Sequence, residues 1–211
     1  ATIAHEIRNP LASISGSAQV LAKVPALSQT ERKLLRIIVE ESHRLSGIIE
    51  NFLGFARPPE LARRPCNVAR TIEETLTLFA NSAELTDTHR TEQRIEPHPG
   101  TLLADEQQLR QAFFNLARNA VQAMPSGGTM RVEARVESGF YVIRWSDDGV
   151  GMEPRQLQEI FQPFKAFRRG GTGIGLAIVY SVISEHGGDI GVESTPGEGT
   201  TFTVSLPMER P

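Results

Sequence analysis

The chain has 211 residues, a formal net charge of −3 and 39% hydrophobic residues, enough for one large or two small domains with a proper core. A mildly acidic balance without a basic face argues against nucleic-acid binding, and no apolar run reaches the ~18 residues of a membrane span or resembles a signal peptide. The single cysteine, Cys66, excludes an internal disulfide and a cysteine zinc cluster and fits a reducing, cytoplasmic location.

Helical periodicity is already under way at Ile3 and the chain opens without methionine, so an upstream segment is expected; any membrane attachment would lie there. Ile3, Ile7, Leu11, Ile14, Ala18 and Leu21 recur at three- and four-residue spacing, which predicts a helix to about residue 23. At 100° per residue His5 lies about 160° from that stripe and faces outward. Asn9 shares its face and Glu6 stands at its flank. Pro10 deletes the backbone bond to the Glu6 carbonyl and is expected to kink the helix. An exposed histidine beside an acid is common, so these residues alone leave both an ordinary surface and a reactive site open.

Val24 to Ser28 breaks the pattern, and Ser28 or Thr30 caps a second helix running to about Phe55. Its stripe is Leu34, Ile38, Leu45, Ile49, Phe52 and Ala56, widened by Ile37, Ile48 and Phe55. Two helices with so short a turn form an antiparallel hairpin. Stripes that wide need a second copy, which predicts a homodimeric four-helix bundle. Arg57-Pro58-Pro59 ends this domain, 1–58, and 59–65 reads as a linker.

From 66 to 211 the pattern is mixed. Helices are expected over about Ala69–Leu85, Asp105–Met124 and Gly173–His186, with weak strand signals near 89–104. "TMRVEARVE" and "YVIRWSD" form a hairpin turning at Ser138-Gly139, and "GDIGVES" and "TTFTVSLP" add strands. The fold class is α+β, helices packed on a mostly antiparallel sheet. Of 18 glycines, 11 fall between Gly149 and Gly199, which marks that region for close backbone approach.

Three stretches there carry chemistry. In "QLRQAFFNLARNAVQAM", Gln111, Asn115, Arg118, Asn119 and Gln122 share one helix face, opposite Leu109, Phe113, Leu116, Ala120 and Met124. Asn115 and Asn119 offer two amide oxygens one turn apart, which suits Mg²⁺ with its retained waters; a solvated polar face reads the same way. "SDDGVGM" ends a strand with Asp147, whose carboxylate can accept a bond from an exocyclic amine, as an ordinary Asp-Gly turn also could. "GGTGIGLAIV" sets Gly171, Gly173 and Gly175 at a helix start, where free N–H groups attract phosphate, though the spacing is neither that of a dinucleotide fingerprint nor of a P-loop. Between them Lys165, Arg168 and Arg169, anchored by Phe161 and Phe164, suit a lid over a nucleotide or a plain surface loop.

Taken in order, HEIRNP, NLARNAVQA, DDGVG, FQPF, GTGIGLAIV and GEGTTF resemble the H, N, G1, F and G2 boxes and terminal glycine motif of sensor histidine kinases, in the flavour of the nitrogen-regulation (NtrB-like) group. The resemblance spans essentially the whole chain. It implies a Bergerat-type ATP-binding sandwich behind a dimeric phosphoacceptor hairpin. His5 would take the phosphoryl group, Glu6 would accept or orient the proton on its other ring nitrogen, and Asn119 would ligate Mg²⁺, supported by Asn115. Asp147 would bind adenine. Gln122, Gly149, Gly151, Gly171, Thr172, Gly173, Gly175, Leu176 and Thr200 would complete the nucleotide pocket and lid, with Arg118, Lys165, Arg168 and Arg169 as candidate phosphate cations.

The implied function is autophosphorylation from ATP, then transfer to an aspartate of a response-regulator receiver domain. Glu6 and Asn9 also fit an E-x-x-N phosphatase pattern, with Asn9 orienting water. The stretch Lys165-Ala166-Phe167-Arg168-Arg169 departs from the "TTK"-like stretch of many relatives, so the lid cation that meets phosphate stays open. Two alternatives remain: a hydrolytic ATPase of the same superfamily, which carries a Glu base where this chain has Asn115, and a nucleotide-binding dimer scaffold that transfers nothing.

Overall fold

The computed structural model describes residues 2–56, 61–82, 84–96, 102–165 and 173–208, with the side chains of 2–6, 8, 43, 44 and 48–56 outside the description. The chain divides into two compact units, Ala1–Pro59 and Glu60–Pro211.

The first unit is a helical hairpin of α1 (Thr2–Leu21) and α2 (Gln29–Ala56). Ser28 starts α2 with a reciprocal cap. Its hydroxyl accepts the Glu31 N–H at 3.2 Å while its own N–H donates to the Glu31 carboxylate at 2.7 Å. That capping holds the Glu31 carboxyl below its ordinary range. Arg32 reaches back to the carbonyls of Val24 and Pro25 and fixes the turn.

Among the described side chains the hairpin hides only part of the expected stripes, Ala18 and Leu11. Ser15, Ala18 and Ser42 are buried and Leu11, Leu35 and Val39 half-buried. Ile7, Ile14, Leu21, Leu34, Ile37, Ile38 and Leu45 stay exposed in the single chain. The sequence pattern marks one apolar face per helix, whereas the hairpin uses its narrow, small-residue shoulder. Helix α1 runs continuously through Pro10.

In the second unit β1 (Arg64–Cys66) pairs antiparallel with β3 (Leu102–Ala104), so part of the expected linker is a strand. Helix α3 (Val68–Ala80) is capped by the Asn67 side chain at Arg70. It ends five residues before the expected Leu85, because the side chains of Asn81 and Ser82 take the carbonyls of Thr77 and Phe79. Helix α4 (Glu106–Ala123) starts at Asp105, whose carboxylate accepts from Gln107 and Gln108.

The main sheet holds β2 (His89–Ile95), β4 (Gly128–Glu137), β5 (Phe140–Asp147), β6 (Asp189–Thr195) and β7 (Gly199–Pro207) in the order β2-β4-β5-β7-β6. Only β2 and β4 run parallel. Alternate residues Val132, Ala134, Ile143, Trp145, Phe202 and Val204 are buried, as period-two patterning requires. Helix α4 contacts β4, β5 and β7, with α3 and α6 (Gly175–Glu185) beside it. Phe113 of α4 stacks on Trp145 with ring centroids 6.0 Å apart. A short helix, α5 (Pro154–Leu157), was not expected and follows a Glu153–Gln156 capping box.

Candidate functional site

The amphipathic pattern of α4 turns Leu109, Phe113, Leu116 and Ala120 into the core. The opposite face is left to Asn115, Asn119 and Gln122. Asn115 is only 8% exposed, Asn119 is half-buried and Gln122 is exposed. Asn115 faces the first residue of α6: a Cβ on Gly175 would sit 3.4 Å from its Oδ1. Leu176, next on α6, is half-buried.

Strand β5 ends at Asp147, 7% exposed, and the chain that follows meets the C-terminal end of α4, where the Val150 N–H donates to the Ala123 carbonyl at 3.0 Å. Its Oδ1 accepts the Gly149 N–H at 3.0 Å. Thr200 on β7 is its ladder partner, and the Thr200 hydroxyl shares a bond with Ser194 at 2.9 Å. The two glycines after Asp147 serve different needs. Gly151 has φ +64°, the left-handed region that glycine enters freely, and a Cβ there would collide with the Thr195 carbonyl oxygen. Gly149 stays outside that region. It is required by space, since a Cβ would lie 2.5 Å from the Ala123 carbonyl oxygen.

The segment after α5 meets α6 through Phe161, whose ring lies 5.5 Å from Tyr180 and 6.5 Å from Phe202. Phe164 is less covered than Phe161. It is 59% exposed at φ +67°, with its N–H donating to the Gly173 carbonyl at 2.9 Å. Gly173 has φ +67° and would clash with the 164–165 backbone if it carried a Cβ. Arg168, Arg169, Gly171 and Thr172 lie outside the described residues, as do the side chains of His5 and Glu6. Asn9 is exposed on α1.

The two described candidate cations are engaged with acids. The Arg118 guanidinium donates to both carboxylate oxygens of Glu84 at 3.0 Å and lies 5.2 Å over the Phe114 ring. Lys165 pairs with Glu159 at 3.0 Å. Sequence periodicity gave no sign of Glu84 as a partner, since it stands 34 residues before Arg118.

The donors grouped here are amides, one carboxylate and a hydroxyl. Among the described residues no group of three His, Cys, Asp or Glu side chains could hold a metal. The amide oxygens of Asn115 and Asn119 are of the kind a hard cation accepts beside water and phosphate oxygens. No helix among the described residues is long and apolar enough to cross a membrane.

The chain thus carries a helical hairpin followed in sequence by a unit of helices on a mostly antiparallel sheet. Residues 104–210 match the family of histidine kinase-, DNA gyrase B-, and HSP90-like ATPases, and residues 1–60 match the His Kinase A (phospho-acceptor) domain. The chain belongs to that ATPase family and, with both domains in order, is a sensor histidine kinase catalytic core. It is 35% identical over 216 residues to the sensor histidine kinase ZraS of Salmonella typhimurium, covering 99% of this chain and 45% of ZraS. The chain thus spans less than half of that relative. Full-length ShkA in complex with AMPPNP superposes with a TM-score of 0.79 at 29% identity, over 98% of this chain and 44% of ShkA. The histidine kinase ThkA in complex with the response regulator TrrA superposes with a TM-score of 0.72 at 25% identity, over 99% of this chain and 60% of ThkA.

Proposed function

We propose that the chain moves the γ-phosphoryl group of ATP to His5 and from there to an aspartate of a response-regulator receiver domain. The observation that carries this reading is the union in one chain of a phosphoacceptor-domain match over 1–60 and a histidine kinase-, DNA gyrase B-, and HSP90-like ATPase match over 104–210, the latter holding the buried Asp147–Thr200 ladder pair and the Asn115–Asn119 face of α4. Asp147, backed by Thr200, would accept the adenine amine. Gly149 and Gly151 would let the backbone close on the base. Asn119, supported by Asn115, would hold Mg²⁺, which when bound neutralises phosphate charge and aligns the terminal group. Gln122, Gly171, Thr172, Gly173, Gly175 and Leu176 would line the phosphate side, with the start of α6 directing N–H groups toward the anion.

Glu6 would hold the proton on one imidazole nitrogen of His5, leaving the lone pair of the other for the γ-phosphorus. The bond to the bridging oxygen then breaks and ADP leaves with that electron pair. Arg168 or Arg169 would meet the developing charge. Arg118 and Lys165 could do so only after leaving Glu84 and Glu159. Asn9 would orient water for dephosphorylation. The exposed stripes of α1 and α2 support a homodimeric bundle, as a single hairpin leaves Ile14, Leu34 and Leu45 in water.

A hydrolytic reading is disfavoured at Asn115, because an amide takes no proton from water at neutral pH. Incubation with γ-labelled ATP and magnesium separates the readings. The kinase gains acid-labile, base-stable label. An ATPase releases phosphate without labelling the chain, and a scaffold does neither; either result would overturn the proposal.

A further inference from the structure

His186 is a buried polar group that the proposed phosphoryl chemistry does not use. It caps the end of α6 and is 6% exposed. Both ring nitrogens are committed to backbone: Nδ1 lies 2.7 Å from the Val182 carbonyl oxygen, and Nε2 lies 2.9 Å from the Asp105 nitrogen. A carbonyl only accepts and a backbone N–H only donates. Nδ1 therefore carries the proton and Nε2 does not, which selects the neutral ring in one tautomer. A second proton on Nε2 would meet the Asp105 N–H donor to donor and leave that amide without an acceptor.

Three pieces of chain converge on this ring. Asp105 caps α4 through Oδ1, while its Oδ2 accepts the Ala62 N–H at 3.1 Å. Arg63 donates to the Glu185 carbonyl at 2.6 Å. The segment 61–63, the start of α4 and the end of α6 are thus tied at one point. The charged groups facing the ring are Arg63 from that segment, Asp105 from the α4 cap and Glu185 from α6. Burial is the largest influence and, with Arg63, disfavours the imidazolium; the Val182 bond, Asp105 and Glu185 oppose it, and the net pKa lies below the ordinary histidine value.

We infer that His186 is an acid-sensitive clasp: uptake of a proton on Nε2 breaks its bond to Asp105 and loosens segment 61–63 from the ends of α4 and α6. Because α4 carries Asn115 and Asn119 and α6 begins at Gly175, acid would also weaken nucleotide holding. That last consequence alone rests on the kinase reading.

The test is nitrogen-15 NMR of the His186 ring in the nucleotide-free chain from about pH 8 to about pH 5, with amide hydrogen exchange followed at Asp105 and Ala62. The ring is expected to begin as the Nδ1–H tautomer. As it titrates, the protection factors of both amides should fall together by about tenfold or more, while Leu116 inside α4 keeps its own. His186→Gln offers an uncharged acceptor near the Nε2 position and should hold both amides protected across the range. Titration of the ring without loss at Asp105 would overturn the clasp, as would the same pH-dependent loss in His186→Gln. If that variant does not fold, the wild-type titration decides alone. None of these readouts uses ATP, so failure here and failure of the kinase reading are separable.

Discussion

Asp147 and Thr200 stand directly opposite one another across the β5–β7 ladder, both buried. Ladder partners share a face, so a carboxylate and a hydroxyl are presented together by two strands whose register is fixed along eight paired positions. Asp147→Asn keeps an oxygen for the Gly149 N–H but removes the charge. Nucleotide affinity, measured by calorimetry with a non-hydrolysable ATP analogue, should fall about tenfold to hundredfold, the loss of one charged hydrogen bond. Unchanged affinity would remove Asp147 from the proposed pocket.

Gly151 is constrained twice, by its φ of +64° and by the Thr195 carbonyl oxygen where a Cβ would stand. Gly151→Ala should therefore destabilise the second unit by more than about 1 kcal/mol. Urea denaturation followed by Trp145 fluorescence measures this. Gly139→Ala is the contrast: it has φ +86° but open space around it, so the loss there reflects backbone strain alone and should be smaller.

Arg118 ties α4 to the chain beyond α3 through Glu84 and lies over the Phe114 ring one turn earlier on α4. Arg118→Ala should cost about 1 kcal/mol of stability, since the pair is partly solvated. The loss should shrink in high salt. Denaturant midpoints at low and high ionic strength check both statements.

Stability should fall with acid in two stages. His186 has a folded pKa below the ordinary 6.5, so its contribution is complete above that value and is lost as the pH falls from it toward the folded pKa, where only the unfolded ring is protonated. Glu137 is held at about 2 by hydrogen bonds from Arg144 and Arg135. Its contribution is present above the ordinary carboxylate range and is lost as the pH falls through about 2. Urea midpoints across pH should show the first stage disappear in His186→Gln while the second persists.

Much of the architecture could be read from periodicity. The α4 face, the β4–β5 hairpin at Ser138-Gly139 and the order of strands after α6 all follow from repeating apolar positions and turn residues. The α3 end could not, because local side-chain bonds from Asn81 and Ser82 compete with helix propagation and leave no periodic mark. Strand β1 is hidden for another reason: three residues centred on Pro65 carry too little pattern, and only the β3 partner makes them a strand. In the site, Asp147 and the Asn115–Asn119 pair stand out as residue types, whereas the placement of Thr200 opposite Asp147 depends on pairing between β5 and β7. The Arg118–Glu84 and His186–Asp105 contacts join distant parts of the chain, so spacing is silent about them.

The central claim is that His5 receives the phosphoryl group. The most direct measurement is phosphate mapping on the chain after incubation with ATP and magnesium, by mass spectrometry under alkaline conditions, beside the His5→Gln variant. The account predicts phosphate on the His5 peptide and none on the variant, with calorimetric ATP-analogue binding intact in both. Phosphate on another residue, or label persisting in His5→Gln, would contradict it.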